Sequence, residues 1–296
     1  MNGLLVADKP AGMTSHDAVA ICRRRLGERK IGHAGTLDPD ATGVLILGVG
    51  RATRLLQYLE AHDKTYVSTF VLGVETSTQD AAGDIVATTD ATRVTEADVQ
   101  AVLPRFRGEI DQIPPMVSAI KIGGEALYKK ARRGETVERA PRPVTIHELD
   151  LTGFDPPAIR VRCSKGTYIR TLVHDIGAAL GVGAHVATLR RTAVGPYTET
   201  DAVAIDQVTP ESLRPIADAV AGYPRRDITA AEALRLAQGK TIPAAGIDGP
   251  YGVFTGDGLI AMARDDGDTA RSLCVLAHAT DLTPHGAPQG TTKGQP

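Results

Sequence analysis

Hydrophobic and polar positions along this chain follow two rhythms, one of period two and one near 3.6, and the switches between them mark out its elements. Gly3-Leu4-Leu5-Val6-Ala7 is an apolar run ended by the turn residues Lys9-Pro10-Ala11-Gly12, which predicts a short buried strand. Thr14 or Ser15 then caps a helix to about Leu26, with Ala18, Val19, Ile21 and Cys22 on its apolar face and Gly27 closing it. Val44-Leu45-Ile46-Leu47 and the β-branched stretch 64–74 predict strands. Thr95-Glu96-Ala97-Asp98 has the form of a capping box and opens a helix to about Arg107. Strands are expected at 144–154, 158–164 and 184–194, with a helix from about Thr167 to Leu180 ended by Gly181. Residues 118–143 keep neither rhythm and read as a basic, mobile excursion from the core. Past a break at 222–227, Thr229 and Glu232 cap a short helix to about Gln238, and strand candidates follow at 251–255, 258–264 and 272–277. The polar, Gly/Pro-rich tail 284–296 is expected to be disordered.

Antiparallel-looking strands mixed with helices predict an α+β fold. The expected division is a large domain over 1–224, carrying the 118–143 insert, and a small β-rich domain over 225–283. Hydrophobic residues at 42% and charged residues at 23% fit an ordinary globular protein. Aromatics are only 4% and Trp is absent, which disfavours a broad stacking platform for single-stranded nucleic acid. A net charge of −2 means that any contact with a polyanion must rest on local patches. Three are present: Lys121, Lys129, Lys130, Arg132 and Arg133 in the insert, then Arg23, Arg24, Arg25, Arg29 and Lys30, then Arg190-Arg191. Each is either a phosphate-facing surface or a solvated face. Cys22, Cys163 and Cys274 form no CxxC pair, so neither a disulfide framework nor a zinc site is expected. No apolar run is long enough to span a membrane, and no basic segment precedes the opening run, so a cytoplasmic location is expected. Gly48-Val49-Gly50 lacks the third glycine of a dinucleotide loop, and there is no phosphate-binding GxxxxGK[ST].

The densest chemistry lies in Gly32-His33-Ala34-Gly35-Thr36-Leu37-Asp38-Pro39-Asp40-Ala41-Thr42-Gly43, read as a glycine-bounded loop. Pro39 biases Asp38 toward an extended backbone, which suits either a turn residue or a carboxylate facing a ligand. This cluster resembles the catalytic motif of the bacterial tRNA pseudouridine synthase B family. Further likenesses follow in order: Lys9-Pro10-Ala11-Gly12-Met13-Thr14-Ser15, Lys64-Thr65-Tyr66, Cys163-Ser164-Lys165-Gly166-Thr167-Tyr168-Ile169-Arg170-Thr171-Leu172, and Gly183-Ala184-His185-Val186 with Leu189-Arg190-Arg191-Thr192. Together they span roughly residues 3–195. Val117 stands where the family often has Tyr, and residues 228–283 match its C-terminal domain weakly.

The resemblance implies a pseudouridine synthase fold with a small PUA-like C-terminal domain, acting on the T-loop uridine at position 55 of tRNA. It implies that Asp38 is the catalytic carboxylate, either attacking C1′ or deprotonating C2′, and that Arg170 pairs with it. Tyr66 would stack on the base and take the C5 proton at the end, while Tyr168 and Leu189 would line the pocket. His33 would fill the gap left by an extruded base. Lys9 belongs to the N-terminal motif, and Lys121, Lys129, Lys130, Arg132 and Arg133 would clamp the T-arm. No metal, cofactor, guide RNA or protein partner is expected, and the chain is expected to act as a monomer. Two rival readings are an RNA-binding folding helper without catalysis and a guide-dependent synthase.

Overall fold

Inward-facing apolar residues at period two assemble a single long sheet that organises the first part of the chain. The computed structural model describes residues 1–118 and 120–277, without the side chains of Ile122 and Arg132. The expected disordered tail lies outside the described residues. Two compact units emerge, the first over Gly3–Arg214 and the second from Pro215 onward. The division falls before the expected 224 because Ala219 and Val220 are buried and Val220 packs against Gly252 of the second unit.

In chain order the first unit comprises strand β1 (Gly3–Lys9), helix α1 (Ser15–Leu26), β2 (Ile31–Ala34), β3 (Thr42–Val49), α2 (Leu56–Glu60), β4 (Lys64–Leu72) and the hairpin β5 (Val74–Thr76) and β6 (Ile85–Thr88). There follow α3 (Glu96–Val102), β7 (Gly108–Gln112), the small hairpin β8 (Lys121–Ile122) and β9 (Glu125–Ala126), and α4 (Leu127–Arg132). The unit closes with β10 (Arg142–Phe154), β11 (Pro157–Cys163), α5 (Ile169–Ala179), β12 (Ala184–Val194), β13 (Tyr197–Thr198) and β14 (Val203–Ala204). The main sheet runs β14-β1-β3-β12-β4-β11-β10-β7, with β2 joined to β3 and β13 to β12. Pairing is antiparallel except at β1–β14 and β3–β12. This is the mixed, largely antiparallel α+β arrangement expected.

Two apolar clusters line the sheet. Leu5, Leu45 and Leu47 pack with Val19 and Cys22 of α1, while Phe70, Ile159 and Val161 pack with Leu172, Val173 and Ile176 of α5. Tyr66 and Leu189 touch both clusters and so mark the seam between them. Thr14 caps α1 with a full capping box to Asp17, and Gly27 ends it in the left-handed region at φ 61°.

Several expectations need correction. Residues 31–34 are not loop: they pair with β3, so His33 sits on a strand. Four residues flanked by glycines carry too little alternation to be read as one. The helix capped by Thr95 turns into a 3₁₀ stretch at Leu103–Phe106, where Pro104 cannot donate to a continuing α-helix. Helix α5 starts at Ile169, not Thr167. Within 118–143 a hairpin and α4 form around buried Ala126 and Leu127. The β5–β6 hairpin was not anticipated, and Gly73 makes it possible: at φ 81°, a Cβ there would come 2.5 Å from the Thr89 carbonyl oxygen.

The second unit is β-rich. A five-stranded sheet runs β15 (Arg225–Asp227), β17 (Tyr251–Thr255), β18 (Gly258–Asp266), β19 (Thr269–Val275) and β16 (Ile242–Pro243), with α6 (Ala230–Ala237) capped by Thr229 and Glu232 as expected. No helix among the described residues is long and apolar enough to cross a membrane.

Candidate active site

Asp38 lies in the loop between β2 and β3, and the N-terminal motif pins that loop from below. Lys9 is fully buried, and its ammonium donates to the carbonyls of Pro10 (2.9 Å), Met13 (2.7 Å) and Pro39 (2.9 Å). Ser15 Oγ donates to the Leu37 carbonyl at 3.1 Å and accepts from the Leu37 N–H at 2.9 Å. Gly12 N–H donates to the Pro39 carbonyl at 3.1 Å. The motif at residues 9–15 therefore fixes the backbone on both sides of Asp38. Burial lowers the Lys9 pKa to about 8. With its donors spent on carbonyls, Lys9 anchors the loop from inside and has no surface to offer a substrate.

Above the loop, Arg170 enters from the first turn of α5. Only 3% exposed, it grips Asp38 with both edges of the carboxylate: Nε to Oδ2 at 2.9 Å and Nη2 to Oδ1 at 3.2 Å. It also donates to the carbonyls of Thr78 and Val117, both at 2.9 Å. The β5–β6 hairpin brings a second carboxylate, Asp80, to 3.5 Å from Arg170 Nε. One guanidinium thus serves two acids. The Asp38 side chain keeps 40% of its surface open, and that surface faces cavities on several sides. Burial raises the Asp38 pKa and Asp80 adds to the rise, while Arg170 opposes both. The result is a carboxylate stripped of much of its hydration yet held by a cation.

A cavity of about 350 Å³ opens beside it, walled by Tyr66, Tyr168, Arg170, Leu189, Lys64 and Arg191. Five residues singled out from the sequence, from β4, α5, β12 and the β2–β3 loop, therefore converge on one space. Tyr168 caps α5 through its backbone, where Gln112 Oε1 accepts from the Tyr168 N–H at 3.0 Å. Burial raises the Tyr66 pKa, against the neighbouring Arg191 guanidinium, so its phenol stays protonated. His33 packs edge-on against His16 at 5.2 Å between ring centres, and its Nδ1 is buried without a partner. Burial pushes its pKa down to about 4, so the ring is neutral at pH 7.

The basic insert borders a larger cavity of about 820 Å³ that also reaches Asp38, with His16, Met116 and Tyr128 on its walls. Lys121 and Lys129 are exposed and Lys130 is half-buried. Arg133 is already engaged, by Glu125 at 2.8 Å and Glu135 at 2.7 Å. The Arg132 side chain lies outside the described residues. The other two basic clusters are also partly spent: Arg23 and Arg25 donate to the carbonyls of Ile31 and Val208, and Arg190 binds Asp8 and Glu199. Arg191 is 1% exposed and belongs to the interior. Sequence reasoning missed Asp80, Lys64 and Arg191 as parts of the site.

Three family models match the chain in succession: TruB family pseudouridylate synthase (N terminal domain) over residues 23–169, tRNA pseudouridylate synthase B C-terminal domain over 170–232, and tRNA Pseudouridine synthase II, C terminal over 223–277. The chain is 47% identical over 289 residues to tRNA pseudouridine synthase B of Thermobifida fusca (strain YX), covering 93% of this chain and 99% of that protein. It is 47% identical over 288 residues to the protein of the same name from Mycobacterium sp. (strain KMS), covering 94% and 97%. Among solved structures it is similar to a Cbf5-Nop10-Gar1 complex (TM-score 0.74, 28% identity, 95% of this chain and 86% of that one). It is similar also to an H/ACA RNP bound to a substrate RNA containing 2'-deoxyuridine (TM-score 0.73, 27% identity, 95% and 87%).

Proposed function

The chain belongs to the TruB family of pseudouridylate synthases, and from that premise we propose that it converts the T-loop uridine at position 55 of tRNA to pseudouridine, with Asp38 as its catalytic carboxylate. The observation that carries the site assignment is the two-pronged Asp38–Arg170 pair facing a cavity shared with Tyr66.

The reaction breaks N1–C1′, rotates the freed base and joins C1′ to C5; C5 then loses its proton and the vacated N1 gains one, so that the product is an isomer of the substrate. A carboxylate can serve as nucleophile at C1′ or as base at C2′, and both routes require Asp38 to be ionised. Arg170 holds it in that form, while poor hydration keeps it reactive. The Tyr66 ring offers a face for the base, and Leu189 and Tyr168 close the walls. Because burial holds the phenol protonated, Tyr66 can hand the late C5 proton onward only by exchanging its own. A T-loop uridine is stacked, so it must be flipped out, at a cost of a few kcal/mol. A neutral imidazole at His33 suits the vacated space. The open cavity between loop and insert, with Lys121, Lys129 and Lys130 nearby, supports T-arm binding there; that the chain acts as a monomer without a guide RNA is part of the same proposal.

Asp38→Asn tests the reading, since the amide is nearly isosteric but neither nucleophilic nor basic. Turnover, followed as tritium release from tRNA carrying 5-tritiated uridine, is expected to vanish while tRNA binding persists. Undiminished release would remove Asp38 from the chemistry, and no release from the unmutated protein acting alone would remove the guide-independent assignment.

A further inference from the structure

Burying a guanidinium is costly unless its donors are met, so an arginine with 1% of its surface exposed needs an account. The sheet register supplies one. Arg191 on β12 lies directly opposite Tyr66 on β4 and beside Gly43 on β3. Directly opposed residues project to the same face, which brings the guanidinium to the Tyr66 ring. The β12–β4 ladder slips just afterwards, between Arg191 and Ala193, and such irregularities re-aim side chains near sites. Gly43 lets the two backbones close: at φ 100°, a Cβ there would lie 2.2 Å from the Arg191 carbonyl oxygen.

Two of its nitrogens donate to backbone carbonyls. Nε donates to the Val44 carbonyl at 2.7 Å, at the start of β3. Nη2 donates to the Gly35 carbonyl at 3.1 Å, at the first residue of the Asp38 loop. The Tyr66 ring stands opposite on the neighbouring strand, and both residues line the cavity beside Asp38. One rigid planar fork thus ties the loop that carries the carboxylate to the strand that follows it, beside the ring that faces it.

We infer that Arg191 is a positioning residue for the isomerisation, fixing the Asp38 loop and the Tyr66 ring in one mutual geometry without touching RNA. This rests on the roles proposed above for Asp38 and Tyr66. Small misplacements of reacting groups cost large factors in rate, which is how a residue that acts through its neighbours can govern turnover.

The test is single-turnover pseudouridine formation by Arg191→Lys, with the tRNA dissociation constant and its salt slope measured alongside. A lysine ammonium cannot span the two carbonyls as the guanidinium fork does. The rate is expected to fall about 10- to 100-fold, the worth of one charged hydrogen bond. The tRNA dissociation constant and its salt slope are expected to stay unchanged. An undiminished rate would overturn the inference. So would a salt slope reduced by about one, since that would put Arg191 on a phosphate. If the lysine variant does not fold, Arg191→Gln, which keeps a planar head and two donors, carries the same measurements with the same outcomes. An undiminished rate in the Arg191 variant sinks only this inference, whereas an Asp38→Asn protein with full activity sinks the parent reading.

Discussion

Replacing Arg170 by lysine isolates what the Asp38–Arg170 geometry does beyond supplying a positive charge. Arginine makes two hydrogen bonds to the carboxylate and one to each of two carbonyls. A lysine ammonium can keep one carboxylate oxygen but cannot span both and reach the carbonyls of Thr78 and Val117 as well. One lost charged hydrogen bond is worth about 1.5–3 kcal/mol in full. The Asp38 side chain is 40% open, so screening cuts this to about 1 kcal/mol. A loss of about 1 kcal/mol is about a fivefold weaker preference for the ionised form, so Asp38 should titrate at higher pH in Arg170→Lys. The sign follows from the ionised form being the one stabilised. Asp38 is already raised above the ordinary 3.8, the proposed chemistry needs its carboxylate, and activity is therefore expected to be lost as pH falls through the raised value. Weakening the cation moves that loss to higher pH. The assay is single-turnover tritium release at saturating enzyme across the acid range, for both proteins. His33, at about 4, titrates in the same region, but a limb belonging to His33 would not respond to residue 170. An acid limb that stays in place, or moves down, refutes the argument that Arg170 keeps the carboxylate charged.

The insert makes a graded prediction. Lys129→Ala with Lys130→Ala should weaken tRNA binding and lower the salt slope by about one for each phosphate left without its lysine, whereas Arg133→Ala alone should change it little, because Glu125 and Glu135 already hold that guanidinium. Filter binding over a salt series decides, and an unchanged slope in the lysine pair removes the insert from the interface. Gly43→Ala should destabilise the first unit: a positive φ costs about 1–3 kcal/mol and the clash with the Arg191 carbonyl a similar amount. A loss near 3 kcal/mol lowers the thermal midpoint by roughly 6–12 °C for a unit of this size. A midpoint within a degree of the parent would show that β3 and β12 can part at no cost.

Much of this was legible in the sequence wherever a periodic run was long or a cap was explicit. β10, β11 and β12 came out near their observed bounds, and the capping boxes at Thr95 and Thr229 stand where the spacing put them. The site residues taken from motif likeness converge from four separate elements, which composition alone could not have assembled. Short pieces escaped. β2 has four residues, and the β5–β6 hairpin depends on Gly73 and on Gln79 at φ 64°, backbone choices that leave no apolar pattern. Asp80 was invisible for the same reason: a turn acid acquires its meaning only when the hairpin folds back onto Arg170.

Arg191 is a different kind of miss, because the signal was present. Leu189 and Arg191 are two apart on a strand, so if the leucine faces the pocket the arginine does as well. Lys64 and Tyr66 stand in the same relation on β4, and Lys64 is likewise buried, its pKa lowered to about 8 by burial as it donates to the carbonyls of Glu60 and His62. Reading Arg190-Arg191 as a basic doublet averaged over two opposite faces. Taken separately, Arg190 faces the acids Asp8 and Glu199 while Arg191 faces carbonyls and a phenol. A cation in the inward phase of a strand otherwise filled with apolar residues carries a desolvation cost that a solvated one escapes. Its retention there points to backbone acceptors that need organising, and in this fold those acceptors belong to the loop that carries Asp38.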